Sequence, residues 1–362
     1  MKTIGILGGG QLGMMLAEEI YKLNNEAICL DPNPSCSASF VCKETIVKKY
    51  DDIEGLKELG DKSDVITYEF ENVPANQLRF IRDTYYIPQG IEPLFDSQNR
   101  IREKNNAKAH GLNPPKFKAI YSKEDLELGI KELGLPCVYK TTTLGYDGHG
   151  QVVIKNKDDI KLVEPFLSGE GILEEFIKYD FETSCILVRS KEKTIAFPMG
   201  INKHKKGILD LCIVDKELPI FEKIKNSSKK FMEECNYYGI LAIEFFVRGD
   251  NFYFNEMAPR PHNSGHYTIE GCNTNQYREL AKFLLGLPLE EPKLLYPTIM
   301  KNILGFDYEN MKKIEINSNI HIHDYKKQDV REKRKMAHIT FTNMTLDEYN
   351  EKYKLRFCED EE

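Results

Sequence analysis

Within residues 255–266 the chain reads Asn255-Glu256-Met257-Ala258-Pro259-Arg260-Pro261-His262-Asn263-Ser264-Gly265-His266. An acid, a guanidinium, two imidazoles, two amides and a hydroxyl are crowded into one short stretch, and two prolines and a glycine restrict its backbone. Such a stretch makes a poor core, because it holds too many donors and too few apolar groups. It makes a good site: a rigid turn can aim Arg260, His262, Asn263 and Ser264 at a small anion beside the carboxylate of Glu256.

A second acid, Glu244, lies in the apolar run Ala242-Ile243-Glu244-Phe245-Phe246 just upstream. Acids inside two successive apolar strands are costly to bury unless they are paired or bound to metal. Adjacent antiparallel strands would bring Glu244 and Glu256 together as a hard-oxygen site suited to Mg2+, which also keeps water and phosphate ligands. Upstream again, Lys140 ends the run Cys137-Val138-Tyr139 and precedes Leu144-Gly145-Tyr146-Asp147-Gly148-His149-Gly150-Gln151. This glycine-rich loop suits a mobile cover whose N–H groups reach a triphosphate. Glu174-Glu175-Phe176-Ile177 follows another short strand, where backbone groups at an edge can meet an adenine, and Glu182 can accept from ribose hydroxyls. Lys104 sits in the polar helical stretch Arg100-Ile101-Arg102-Glu103-Lys104, where a solvated lysine is expected.

The amino terminus carries the more familiar motif. Gly8-Gly9-Gly10-Gln11-Leu12-Gly13 satisfies G-x-G-x-x-G directly after the first strand, and Asp31 ends the second. In a dinucleotide fold that acid would hold a ribose, which suggests a nicotinamide dehydrogenase. The physics is more general. Glycines let the backbone approach any phosphate and the following helix start favours an anion, so a ribose phosphate, NAD or a tight turn without ligand all fit.

The elements that position these residues follow from periodicity. Apolar runs at 3–7, 26–30 and 65–68 alternate with helical stretches such as 11–23, which predicts parallel strands with crossover helices. A helix is expected over 96–110. Beyond residue 117 the runs at 138–140, 151–155, 171–176, 183–188, 242–247 and 251–255 predict antiparallel sheets, with helices at 123–133 and 221–235. After Pro288 a smaller tail carries strands near 299–304, 319–325 and 336–342. The expectation is an α/β unit joined to an α+β unit, divided at 1–98, 99–290 and 291–362.

Composition bounds the function. At 362 residues, with 41% hydrophobic and 30% charged residues, the chain is expected to be soluble, globular and multi-domain. No apolar run reaches the ~18–20 residues that span a bilayer, and no signal segment is visible. Nine scattered cysteines without a C-x-x-C pair suggest reduced thiols in a cytoplasm. A formal charge of −7 argues against nucleic-acid binding.

The order lysine, lysine, glycine loop, strand-edge Glu-Glu, ribose acid and two metal acids, with Lys104 and Lys140 as the lysines, resembles the ATP-grasp fold. Gly145-Tyr146-Asp147-Gly148 and Ala258-Pro259-Arg260-Pro261-His262-Asn263-Ser264-Gly265-His266 narrow the likeness to the 5-(carboxyamino)imidazole ribonucleotide synthases, carbon–nitrogen ligases of purine biosynthesis. Thr67-Tyr68-Glu69-Phe70-Glu71-Asn72-Val73-Pro74 extends it into the first unit. The resemblance implies a Rossmann-like first domain, a central ATP-grasp domain and a small β-rich C-terminal domain. It implies ATP and Mg2+ as cofactors, with ATP contacted by Arg100, Lys140, Gly145 to Gln151, Glu174 to Ile177, Glu182, His204, Asn255 and Glu256. Bicarbonate would lie among Arg260, His262, Asn263 and Ser264. The acceptor, 5-aminoimidazole ribonucleotide, would meet Gln11, Leu12 and Glu71, with Tyr146, Asp147, Lys327 and Arg334. The basic run Lys327-Gln328-Asp329-Val330-Arg331-Glu332-Lys333-Arg334-Lys335, a solvated turn on its own terms, thereby becomes a candidate phosphate contact. The family also implies a homodimer and a mutase that takes the product. Three places depart from its common pattern: Asn99, the threonines at 141–143 and His149. Related readings are a formate-dependent glycinamide ribonucleotide transformylase, which shares the nucleotide site, and the dehydrogenase already mentioned.

Overall fold

A computed structural model describes residues 1–143 and 150–357. The readings at Gly145, Tyr146, Asp147, Gly148 and His149 lie outside the described residues. At the amino terminus β1 (Thr3–Leu7), β2 (Glu26–Leu30), β3 (Glu44–Ile46) and β4 (Val65–Tyr68) form a parallel sheet in the order β3-β2-β1-β4. Its strands are nearly continuous apolar runs because helices cover the sheet: α1 (Gln11–Lys22), α2 (Ile53–Asp61) and α3 (Ala75–Ile81).

The helix expected over 96–110 is two helices, α4 (Glu92–Ser97) and α5 (Arg100–Ala109). Asn99 makes the break. Its backbone is extended, and its side-chain oxygen accepts from the N–H groups of Ile101 and Arg102, both at 3.0 Å. Its amide also donates to Glu170 at 2.8 Å, a bond an aspartate would replace with repulsion. This departure from the family pattern therefore has a local reason.

Next comes a small antiparallel sheet, β5 (Phe117–Ile120), β6 (Cys137–Thr141), β7 (Gln151–Ile154) and β8 (Gly171–Glu175), in the order β5-β8-β6-β7. The helix α6 (Lys123–Leu133) packs on it, its start capped by Ser122. The remaining strands are β9 (Phe181–Arg189), β10 (Thr194–Ala196), β11 (Ile201–Lys205), β12 (Ile208–Val214), β13 (Gly239–Arg248), β14 (Asn251–Ala258), β15 (Thr298–Leu304), β16 (Ile320–Asp324) and β17 (Lys335–Thr342). All nine belong to one sheet, ordered β14-β13-β9-β11-β12-β15-β17-β16 with β10 on β9.

The C-terminal strands are thus not a separate layer. They extend the large sheet through antiparallel pairing of β12 with β15, although they keep a core of their own around Ile299, Ile339 and Phe341. Strands β10, β11 and β12 are absent from the sequence reading. Helices α7 (Pro219–Glu234), α8 (Thr268–Gly271) and α9 (Gln276–Leu285) complete the frame. One apolar cluster joins Met15 and Leu16 of α1 to Ile186 of β9 and Leu280 of α9, so the first unit is fixed against the large sheet. Among the described residues no helix is long and apolar enough to cross a membrane, and the eight described cysteines are free thiols.

Candidate active site

A cleft of about 1220 Å3 opens between the small sheet, the large sheet and the carboxyl end of the parallel sheet. Its nucleotide-facing side is built on buried charge. Glu174 on β8 receives Lys140 of β6 at 3.0 Å and Lys104 of α5 at 3.3 Å. Lys104 also donates to the backbone oxygen of Asn255 at 2.9 Å, and Lys140 reaches the Asn255 side chain at 3.4 Å. The expected solvated Lys104 is therefore wrong: its side chain is fully buried, tying α5, β8 and β14 together. Burial pushes the Glu174 carboxyl up, yet the two ammonium groups outweigh it and hold the acid below its usual range. Burial likewise lowers Lys104, against the pull of Glu174.

Around this charge the walls are apolar. Val138, Val153, Leu209 and Phe246 line the cleft with Phe176 and Ile177, a set suited to a flat ring. The strand β8 ends at Glu175, so the backbone of Phe176 and Ile177 has left the ladder and can meet a base edge. Tyr179 stacks on Phe246 with centroids 4.8 Å apart and donates to Glu182 at 2.5 Å. Glu182 and His204, the latter 3.4 Å from it, both face the cleft.

The two expected metal acids come together as the strand argument requires. Glu244 and Glu256 are direct cross-strand partners of β13 and β14, beside a bulge between Glu244 and Phe245. Burial and the neighbouring Glu256 charge hold Glu244 well above its usual range. Burial also opposes ionisation of Glu256, but Arg100 at 2.8 Å and then Lys140 overcome it and hold the carboxyl at about 2. Two adjacent carboxylates that cannot both ionise cheaply, offering only oxygen, fit a hard divalent cation.

Directly after β14 the chain enters the turn. Arg260 is paired with Glu71 of the first unit and donates to the Pro261 carbonyl at 3.0 Å. Gln276 clamps His262 from both sides, accepting from its N–H at 2.9 Å and donating to its carbonyl at 2.8 Å. The imidazole Nδ1 accepts the Ser264 N–H at 3.4 Å, so the ring proton sits on Nε2, facing Glu244 at 3.3 Å. Burial first, then Arg260, lowers His262 to about 3, so the ring is neutral at ordinary pH. Asn263 and Asn302 exchange two amide bonds, at 2.8 and 2.6 Å. At Gly265 any side chain would collide with Ile186 and Gln276 at 2.3 and 2.6 Å, which holds the turn against the sheet.

Beneath the turn His266 Nδ1 lies 2.9 Å from the Tyr277 hydroxyl. Its ring centroid is 4.5 Å from that of His338, which stacks on His323 at 4.4 Å. The hairpin between β16 and β17 brings Lys327, Arg331, Lys333, Arg334 and Lys335 to the cleft, with Lys327 Nζ anchored on the Lys335 carbonyl at 2.7 Å.

The cleft thus gathers Gln11, Leu12, Glu71, Arg100, Lys140, Gln151, Glu174 to Ile177, Glu182, His204, Glu244, Asn255, Glu256, Arg260, His262, Asn263, Lys327 and Arg334. Two sequence-predicted residues are not among those lining it. Ser264 is buried behind His262, where it orients the ring at 2.7 Å. Gly150 sits at φ +73° with Thr141 Oγ1 only 2.4 Å from where a side chain would start, so its visible job is the turn. The glycine run differs from expectation as well. The N–H of Gly8 goes to Leu30, that of Gly9 to Asp31 at 2.8 Å and that of Gly10 to Glu69 at 2.8 Å. Asp31 also accepts from Tyr50 at 2.6 Å and from the Asn33 N–H at 2.8 Å, so it braces the loop and is spent as a ribose acceptor. What remains for an anion is the first turn of α1, from Gln11 onward, which has no side-chain cap.

Three family models match successive stretches: the ribonucleotide synthetase preATP-grasp domain over residues 1–91, the ATP-grasp domain over 105–277 and the phosphoribosylaminoimidazole carboxylase C-terminal domain over 298–352. The N5-carboxyaminoimidazole ribonucleotide synthase of Staphylococcus haemolyticus strain JCSC1435 is 39% identical over 351 residues, spanning 96% of this chain and 94% of its own. Among solved structures, the Staphylococcus aureus N5-carboxyaminoimidazole synthetase complexed with ADP superposes with a TM-score of 0.94 at 35% identity, over 99% of this chain and 97% of the other. An Aspergillus clavatus synthase in complex with ADP and 5-aminoimidazole ribonucleotide gives 0.91 at 26% identity, over 98% and 97%.

Proposed function

The chain belongs to the N5-carboxyaminoimidazole ribonucleotide synthase family of ATP-grasp ligases, and from that membership we propose how its residues divide the reaction. The reaction is ATP-dependent carboxylation of 5-aminoimidazole ribonucleotide in purine biosynthesis. In our reading the carboxyl source is bicarbonate. One bicarbonate oxygen attacks the γ-phosphorus, ADP leaves, and carboxyphosphate forms. The exocyclic amine then attacks the carboxyl carbon, phosphate leaves, and the amine proton passes to a base, for which Asp147 is the candidate.

The observation that carries this division is the placement of Glu256 and Arg260. They lie four residues apart on one strand and its turn: Glu256 takes Arg100 beside Asn255, which Lys140 reaches, whereas Arg260 pairs with Glu71 of the first unit. ATP would lie against Phe176 and Ile177, its ribose at Glu182 and its phosphates between Lys140, His204 and the 145–151 loop. Glu244 and Glu256 would hold Mg2+, which when bound offsets phosphate charge. Arg260 and Asn263 would hold the bicarbonate oxygens, with neutral His262 beside them adding no charge. The acceptor phosphate would take the first turn of α1 with Lys327 and Arg334. Most of the rate effect asked of these groups is position and fixed charge. Carboxyphosphate hydrolyses readily, so the site has to exclude water before transfer.

We further propose a homodimer in the cytoplasm whose product feeds a mutase. The test is ADP release from the full chain with bicarbonate or formate, each with and without 5-aminoimidazole ribonucleotide. Release that needs bicarbonate and the ribonucleotide supports the reading. Stimulation by formate in place of bicarbonate would overturn the choice of acid, and binding of NADH would revive the dehydrogenase.

A further inference from the structure

Beside the main cleft lies a small polar cavity of about 90 Å3, room for one bicarbonate-sized ion. Its charged lining is two guanidiniums, Arg100 and Arg260, and four acids, Glu71, Glu103, Glu244 and Glu256. Both guanidiniums are already paired. Arg100 is held by Glu256 at 2.8 Å, and Arg260 by Glu71 through Nε. Each guanidinium lining the cavity thus already faces a carboxylate.

The Arg260 pair differs from the other in where its acid comes from. Glu71 belongs to the loop after β4, 189 residues from Arg260 in sequence, and its side chain, 32% exposed, lines both the cavity and the main cleft. The backbone of that loop is fixed, because the Gln98 amide donates to the carbonyls of Glu71 and Val73 at 2.8 and 2.6 Å. The carboxylate can therefore swing while its main chain stays in place.

We propose that Glu71 is a latch on Arg260, released by the ribonucleotide. It neutralises the guanidinium while the acceptor is absent, and the acceptor's hydroxyls draw the carboxylate away when it binds. Arg260 is freed for the anion only when an amine is present to take the carboxyl group. The latch explains how carboxyphosphate formation is kept from running to waste in an enzyme whose intermediate hydrolyses. It rests on the reading of Arg260 as the bicarbonate holder. Glu71 is here a positioning residue, acting on the anion through Arg260.

The test measures bicarbonate-dependent ADP release by native enzyme, Glu71→Gln and Glu71→Asp, with and without 5-aminoimidazole ribonucleotide. Gln keeps the size and loses the charge, whereas Asp keeps the charge and loses the reach. Both variants should raise acceptor-free release at least fivefold while raising KM for the ribonucleotide. A structural defect does not move one activity up as it moves the other down. Acceptor-free release that is unchanged or lower in both variants overturns the latch. Native enzyme whose release ignores bicarbonate even with the ribonucleotide present overturns the underlying reading instead.

Discussion

The glycine run at 8–13 and the turn at 259–266 both follow a strand with a tight connection, yet they offer a ligand different things. In the run the N–H groups of Gly8, Gly9 and Gly10 are consumed by Leu30, Asp31 and Glu69, so the motif holds itself together and leaves only the start of α1 to a phosphate. In the turn the internal bonds run through Gln276, Asn302 and Ser264, which anchor the backbone and the back of each ring. His262 and Asn263 stay at the cleft, and Arg260 lines it with its guanidinium held by Glu71 of the first unit, not by the turn's own anchors. A motif's familiarity thus says little about function. What counts is how many donors remain once the local structure has satisfied itself.

The strongest way to break this comparison is to remove the turn's cation. Arg260→Ala is expected to lower coupled product formation by about 2.7–4 kcal/mol, roughly a hundredfold to a thousandfold, as for loss of an oxyanion-holding donor. ADP affinity, measured by calorimetry, should change less than threefold. Near-normal turnover in this variant would remove the turn's claim to the anion.

A smaller effect is expected one layer back. Asn302→Leu strips Asn263 of both amide bonds and leaves the Leu209 carbonyl without its 2.7 Å donor. Orphaned buried polar groups of this kind cost about 1–3 kcal/mol each. A lowered melting temperature with KM for bicarbonate raised about tenfold would show that the anchor sets the site. A variant with the stability loss and an unchanged KM would show that Gln276 alone suffices.

How much of this was legible depends on where each residue's partners lie in sequence. Glu244 and Glu256 could be brought together from the sequence because their strands are neighbours joined by a two-residue turn, but their direct pairing comes from the bulge, since an unbroken register would set Glu244 opposite Asn255. Lys104 could not, because the stretch 100–109 has no apolar face and its acid partner comes from β8, 70 residues on. Nor could the brace of Gly9 and Gly10 by Asp31 and Glu69, since a motif lists glycines and not their acceptors. Strand β11 reads Ile201-Asn202-Lys203-His204-Lys205, too polar to signal a strand that sits inside a nine-stranded sheet. Only the resemblance had named His204, and β11 explains why it reaches the cleft.

The last test bears on the glycine run itself. Burial, followed by the charges of Asp31 and Glu71, raises Glu69 to about 8 despite the Gly10 N–H and Arg260. Below the ordinary glutamate range the acid is protonated folded and unfolded, and it affects stability little. As pH rises toward 8 the unfolded chain gives up the proton while the folded chain keeps it. Folding is then weakened by up to about 1.4 kcal/mol per pH unit, and above pH 8 the deficit is constant. Glu69→Gln mimics the protonated acid and still accepts from Gly10, so it should melt with the native protein near pH 5 and increasingly above it toward pH 8. A gap that stays flat across that range would mean that Glu69 is ionised in the fold, placing a third negative charge beside Asp31 and Glu71. A dianionic phosphate at the start of α1 would then be disfavoured, and the run would lose its remaining role in binding.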